Sequence, residues 1–169
     1  SDVSIFLEEN PSKKILISGT NGKSTVCSWL EKLFNYKNLD ALAIGNIGRP
    51  VLDFIEEKKD FFVVEVSSFH LDIARLPNFK LSVLLNITPD HIDRHGSFKD
   101  YTKIKKKISD SSEISIVNEN LKEFIPNADY FFSNKGSIKD QNLKNMFVVH
   151  AYPIRMRKHN LIHTYSTLS

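Results

Sequence analysis

The side chains best able to do chemistry gather in a few short segments of this 169-residue chain. The first is Gly19-Thr20-Asn21-Gly22-Lys23-Ser24-Thr25. Glycines let a backbone close around phosphate oxygens, a lysine neutralises them, and a hydroxyl directly after it can ligate Mg²⁺. The segment therefore predicts a phosphate loop, with Lys23 as its charge and Ser24 as a metal ligand. The spacing is not that of the general Walker pattern, which would need a glycine where Ile17 stands. The second is Glu65, which ends the apolar run Phe61-Phe62-Val63-Val64. A carboxylate there needs either a metal ion or hydrogen-bond donors. The third, Asp90-His91-Ile92-Asp93-Arg94-His95, packs two carboxylates, two imidazoles and a guanidinium into six residues, a density suited to metal binding. The fourth is Lys103-Ile104-Lys105-Lys106-Lys107, whose plain reading is a solvated basic helix face.

These segments need elements to hold them. Apolar runs at 15–18, 41–44, 61–66, 81–87 and 114–117 read as buried strands. Between them, Val26, Leu30, Leu33 and Phe34 share one face of a helix over 23–36, and Tyr101, Ile104 and Ile108 do so over 98–109. Alternating strands and helices predict an α/β fold: a mostly parallel sheet flanked by helices, with its ligand outside the carboxyl ends of the strands. The chemical segments all follow strands. Beyond 119 a short helix at 119–124 and strands at 130–133 and 146–149 are expected, and 155–169 shows neither period.

Composition bounds the partners. Hydrophobic content of 41% and charged content of 25% suit one globular domain. No apolar run is long enough to span a bilayer, which leads us to expect a cytoplasmic chain with no membrane partner. Basic side chains outnumber acidic ones 11 to 6 in 101–169, against 12 to 14 in 1–100. That excess lacks the interleaved aromatics and glycines of an RNA-binding sheet, so no nucleic-acid partner is expected. Cys27, the single cysteine, reads as packing.

Gly19–Ser24, taken with its flanks, resembles the phosphate loop of the Mur ligases and of the related folylpolyglutamate synthetases, both ATP-dependent amide-forming enzymes. Glu65-Val66-Ser67-Ser68-Phe69-His70-Leu71 resembles a segment of the D-glutamate-adding branch of the Mur ligases, whose glutamate binds Mg²⁺. His70 stands where that branch has glutamine and is given no role. Asn86-Ile87-Thr88-Pro89-Asp90-His91-Ile92-Asp93-Arg94 resembles a family stretch whose histidine ligates a second Mg²⁺, which implies that role for His91. Counting four residues on from Tyr101 places the family's CO₂-carbamylated lysine at Lys105. Gly45-Asn46-Ile47-Gly48 alone would be a tight turn; the same tetrapeptide in that branch lies by the muramoyl substrate. His159-Asn160-Leu161 resembles an adenine-contacting motif, with His163 in place of its second asparagine.

The resemblance implies a central ATP-binding domain over 13–154, preceded at 1–12 by a lead-in from a further domain and followed at 155–169 by an atypical tail. It implies ATP contacts from Gly19, Thr20, Asn21, Gly22, Lys23, Ser24 and Thr25, and Mg²⁺ ligation by Ser24, Glu65, His91 and carbamylated Lys105. Catalysis would fall to Lys23, His91 and Lys105, and substrate contact to Asn46 and Ser67. The implied reaction joins D-glutamate to UDP-N-acetylmuramoyl-L-alanine in peptidoglycan synthesis, on a monomer. A folylpolyglutamate synthetase-like or other Mur ligase domain, or a non-catalytic nucleotide-binding module, stand as alternatives.

Overall fold

A computed structural model of the protein describes residues 1–133. The compact unit is Ser1–Phe131; the remainder, Phe132–Ser169, lies almost wholly outside the described residues. The expected strand at 146–149, the tail and the His159 motif fall there.

Six strands, β1 (Lys13–Ser18), β2 (Ala41–Gly45), β3 (Phe61–Glu65), β4 (Phe79–Leu84), β5 (Ser112–Asn118) and β6 (Tyr130–Phe132), form one sheet. Their order is β2-β3-β1-β4-β5-β6, and the registered pairs from β2 through β5 are all parallel. The expected α/β architecture is thus present. β1 lies at the centre, between β3 and β4, and from it the chain winds first one way and then the other. Such a switch opens a crevice at the carboxyl ends of the strands.

Burial on both faces explains the unbroken apolar runs. Ile15, Leu16 and Ile17 of β1 and Phe62, Val63 and Val64 of β3 are at most 1% exposed. Helices α2 (Lys23–Tyr36) and α5 (Phe98–Asp110) match the periodic segments, and Cys27 and Phe34 of α2 and Tyr101 and Ile108 of α5 are buried. Two short helices, α3 (Ser68–Ile73) and α4 (Ile92–His95), follow β3 and β4. At four to six residues they are too brief for a helical period to register in sequence.

Residues 1–12 contain helix α1 (Asp2–Glu9), capped by the Ser1 hydroxyl. Its Val3, Phe6 and Leu7 join the same core as the sheet, with Phe6 meeting Phe62 edge to face at 5.1 Å. The end of α1 is tied down by polar groups. Lys14 Nζ donates to the carbonyls of Leu7 and Asn10, and Asn10 Nδ2 donates to those of Phe54, Ile55 and Glu57. A buried ammonium at a helix carboxyl end meets the negative pole of the helix dipole.

The strand expected over 81–87 stops at Leu84. Leu85 still bonds to β1 through its N–H on the Ser18 carbonyl at 2.9 Å, but Asn86 and Thr88 turn away to hold the glycine loop.

Candidate functional site

The loop from Gly19 to Gly22 joins β1 to α2. Gly22 starts the helix with φ of 83°, a left-handed conformation that a Cβ would strain. The first helical bond runs from Val26 N to the Gly22 carbonyl, so the N–H groups of Lys23, Ser24 and Thr25 have no partner within the helix. They and the positive end of the α2 dipole make an anion cradle. Lys23 reaches back over the loop, its Nζ on the carbonyls of Gly19 at 3.0 Å and Thr20 at 2.9 Å. Ser24 and Thr25 are exposed on the first turn of α2.

A cleft beside this loop is lined by Gly19, Thr20, Lys23, Ser67, His91 and Lys105, together with Ser68, Phe69, Asp90 and Tyr101. Residues proposed for phosphate, metal and substrate contact, drawn from segments as far apart as 19 and 105, thus meet in one place. Lys105, 1% exposed, donates from Nζ to the Gly19 carbonyl at 3.0 Å and to Ser18 Oγ at 3.4 Å, and lies over the Tyr101 ring. Burial, and then the charge of Lys23, lower its pKa to about 8. At pH 7.5 such an amine is neutral in roughly a quarter of molecules, against about one in a thousand for an ordinary lysine. Only the neutral amine can take up CO₂.

Glu65 and Asn46 form a neighbouring pair. Glu65 is 1% exposed; its Oε1 accepts from Asn46 Nδ2 at 3.1 Å, and its Oε2 is buried with no hydrogen-bond partner. An orphaned carboxylate oxygen at a strand end, one strand from the glycine loop, fits a divalent cation. Glu65 sits opposite Ile17 of β1, two residues before that loop. The Asn46 turn is pressed against it. A Cβ at Gly45 would stand 2.4 Å from the Glu65 carbonyl oxygen, and Gly45 has φ of 96°, so only glycine fits.

His91 begins α4 in the left-handed region, φ 50°, its ring exposed, 3.5 Å from Asp90 and 4.9 Å from the ring of Phe69. Among the described residues no group of three or more His, Cys, Asp or Glu side chains is clustered to hold a metal. A cation here would rely on hydroxyl, phosphate or carbamate oxygens as well.

Ser67 caps α3: its hydroxyl accepts from His70 N at 3.3 Å, and His70 Nδ1 accepts from Ser67 N at 3.4 Å. His70, left without a role by sequence, therefore supplies the returning acceptor of a capping box. An imidazole nitrogen and a glutamine carbonyl oxygen can both accept a hydrogen bond in this way. Cys27 is buried, its thiol pushed up to about 12 by burial and then by Glu65, in keeping with a packing role.

Sequence reading missed Asn86, Thr88, Tyr101 and His95 as members of this region. Tyr101 Oη lies 3.2 Å from Thr20 Oγ1, and buried His95 Nε2 lies 3.1 Å from Ser68 Oγ. Tyr101 stood out as a core position and as the mark from which Lys105 is counted, His95 as part of the dense motif, and Asn86 and Thr88 as parts of the stretch that precedes it.

Comparison with known proteins agrees with this fold. Residues 17–147 match the family described as Mur ligase middle domain. The UDP-N-acetylmuramoylalanine–D-glutamate ligase of Wolbachia pipientis is 42% identical over 119 residues, 69% of this chain and 23% of the relative. That of Rickettsia prowazekii is 43% identical over 111 residues, 65% of this chain and 25% of the relative. This chain thus spans about a quarter of the length of these curated relatives. In fold it is similar to the MurF ligase of Thermotoga maritima in complex with ADP, with a TM-score of 0.61 at 20% identity over 78% of this chain and 35% of that one. Because that match spans residues 17–147, most of the sequence, the chain belongs to the Mur ligase family, as a middle domain.

Proposed function

We propose that this chain is the ATP-binding core of a ligase that adds D-glutamate to UDP-N-acetylmuramoyl-L-alanine, with Mg²⁺ as cofactor. The observation that carries the proposal is the single cleft uniting Lys23 and the glycine loop with Ser67, His91 and Lys105. The identity to D-glutamate ligases over about two thirds of the chain, and the Asn46 turn against Glu65, favour this branch over a folylpolyglutamate synthetase-like one.

In the proposed reaction a substrate carboxylate oxygen bonds to the γ-phosphorus of ATP as the bond to ADP breaks. The amine of D-glutamate then bonds to the acyl carbon, phosphate leaves, and the amine gives up a proton. Gly22 to Thr25 would bind phosphate oxygens through their N–H groups, and Lys23 would place a positive charge on them. Glu65 and Ser24 would hold one Mg²⁺, and His91 with Lys105 a second, supplying positive charge against the phosphates. Lys105 would do so as a carbamate: its neutral amine bonds to CO₂ and releases a proton, converting a cation into an anion. Asn46 and Ser67 would face the muramoyl substrate. The domain reading is that 13–154 forms the ATP-binding domain, preceded by 1–12, whose α1 packs on the sheet, and followed by the tail 155–169.

The test is ADP release by an enzyme in which this chain is joined to the flanking domains of a D-glutamate ligase. Release should require both UDP-N-acetylmuramoyl-L-alanine and D-glutamate. Release with a folate and L-glutamate instead would overturn the choice of branch. The 169-residue chain alone is expected to bind Mg-ATP and form no amide.

A further inference from the structure

The glycine loop is fastened to the segment after β4 chiefly by the side chain of Asn86. Asn86 Oδ1 accepts from Asn21 N at 2.8 Å, and Asn86 Nδ2 donates to the Asn21 carbonyl at 3.0 Å. The Asn86 carbonyl also accepts from Thr20 N at 3.0 Å. The N–H and C=O of Asn21 belong to the two peptide groups on either side of its Cα, and one amide meets both in a single orientation only, so both groups are held in place. Thr20 adds a second stitch, its Oγ1 accepting from Thr88 N at 3.0 Å and donating to the Thr88 carbonyl at 3.2 Å. Two consequences follow. The N–H groups of Thr20 and Asn21 are already committed, which leaves phosphate to those of Gly22 through Thr25. The loop that would bind phosphate and the segment that leads to His91 are also held as one frame.

We infer that Asn86 is a positioning residue for the nucleotide: it presets the two peptide groups flanking the Asn21 Cα, and with them the aim of the Gly22–Thr25 donors. This rests on the ATP-binding reading above. A loop with a free peptide would have to order itself on binding, and that ordering subtracts from affinity.

Amide hydrogen exchange by NMR on the unliganded chain tests the clasp without any substitution. The Thr20 and Asn21 amides should exchange slowly, like those of β1, while the Gly22 and Lys23 amides exchange fast and slow on adding Mg-ATP. Exchange at Asn21 as fast as at Gly22 would overturn the inference. Calorimetry then compares the parent with Asn86→Ala and Lys23→Ala, each checked for folding by thermal melting. Asn86→Ala should weaken Mg-ATP about tenfold, roughly 1.4 kcal/mol, well below its melting temperature. Parent-like affinity in Asn86→Ala, with binding lost in Lys23→Ala, would overturn the role of Asn86 and leave the ATP site standing. Binding that survives Lys23→Ala, or is absent from the parent, would remove the ATP-binding reading and the inference with it.

Discussion

At the scale of the residue, Lys105 carries the least expected environment. A lysine is seldom fully buried, yet this one sits 1% exposed against the Gly19 carbonyl. Its pKa in the folded chain is lowered from 10.5 to about 8, by burial first. Between these values the unfolded chain binds more protons than the folded one, so stability rises with pH across that window and is lowest below it. The unfolding free energy should climb by on the order of 3 kcal/mol from pH 8 to 10.5, and urea titrations of Lys105→Met should lack that climb. Lysines at 103, 106 and 107 were equally basic in sequence. Burial alone separates Lys105 from them: Lys103 is exposed, Lys106 pairs with Asp110, and Lys107 donates to the carbonyls of Leu71 and Asp72.

At the scale of the element, the strands were legible as unbroken apolar runs and the long helices as a period repeated over many residues. Short helices α3 and α4, and the early end of β4, were not. What decides them is side-chain bonding, local at α3, where Ser67 and His70 form the cap, and distant at the end of β4, where Asn86 holds Asn21 over 65 positions. α3 depends on its cap, so Ser67→Ala should cost about 1 kcal/mol. His70 tests the same cap through pH. Burial lowers its pKa below 6.5, with Asp2 and Glu65 opposing. Protonation removes the Nδ1 acceptor, so stability is lost as pH falls through 6.5 and below. His70→Gln, which keeps an acceptor, should stay within about 0.5 kcal/mol of the parent at pH 7.5 and lose less on acidification. Chemical denaturation at the two pH values decides it.

At the scale of the whole molecule, the candidate site exists because β1 lies at the switch in strand order, the glycine loop, Glu65–Ser68 and Asp90–His95 lie at or beyond the ends of β1, β3 and β4, and α5 brings Lys105 back against Gly19. Its location was therefore readable before any coordinates, from the alternation of strands and helices. The pairing of Glu65 with Asn46 was not, since it joins the ends of neighbouring strands β3 and β2 whose adjacency only the sheet order reveals. Nor was the part played by α1, too short a segment to announce its packing. Phe6→Ala should destabilise the chain by about 3–5 kcal/mol, read by urea unfolding, because it opens the core against Phe62. Among the described residues no helix is long and apolar enough to cross a membrane.

Calorimetric titration of Mg-ATP into the parent chain, Lys23→Ala and Glu65→Ala tests most directly whether the strand ends form a nucleotide site. The account predicts binding by the parent that falls at least tenfold in each variant, about 1.4 kcal/mol or more. Equal binding by all three, or none by the parent at millimolar nucleotide, would contradict it.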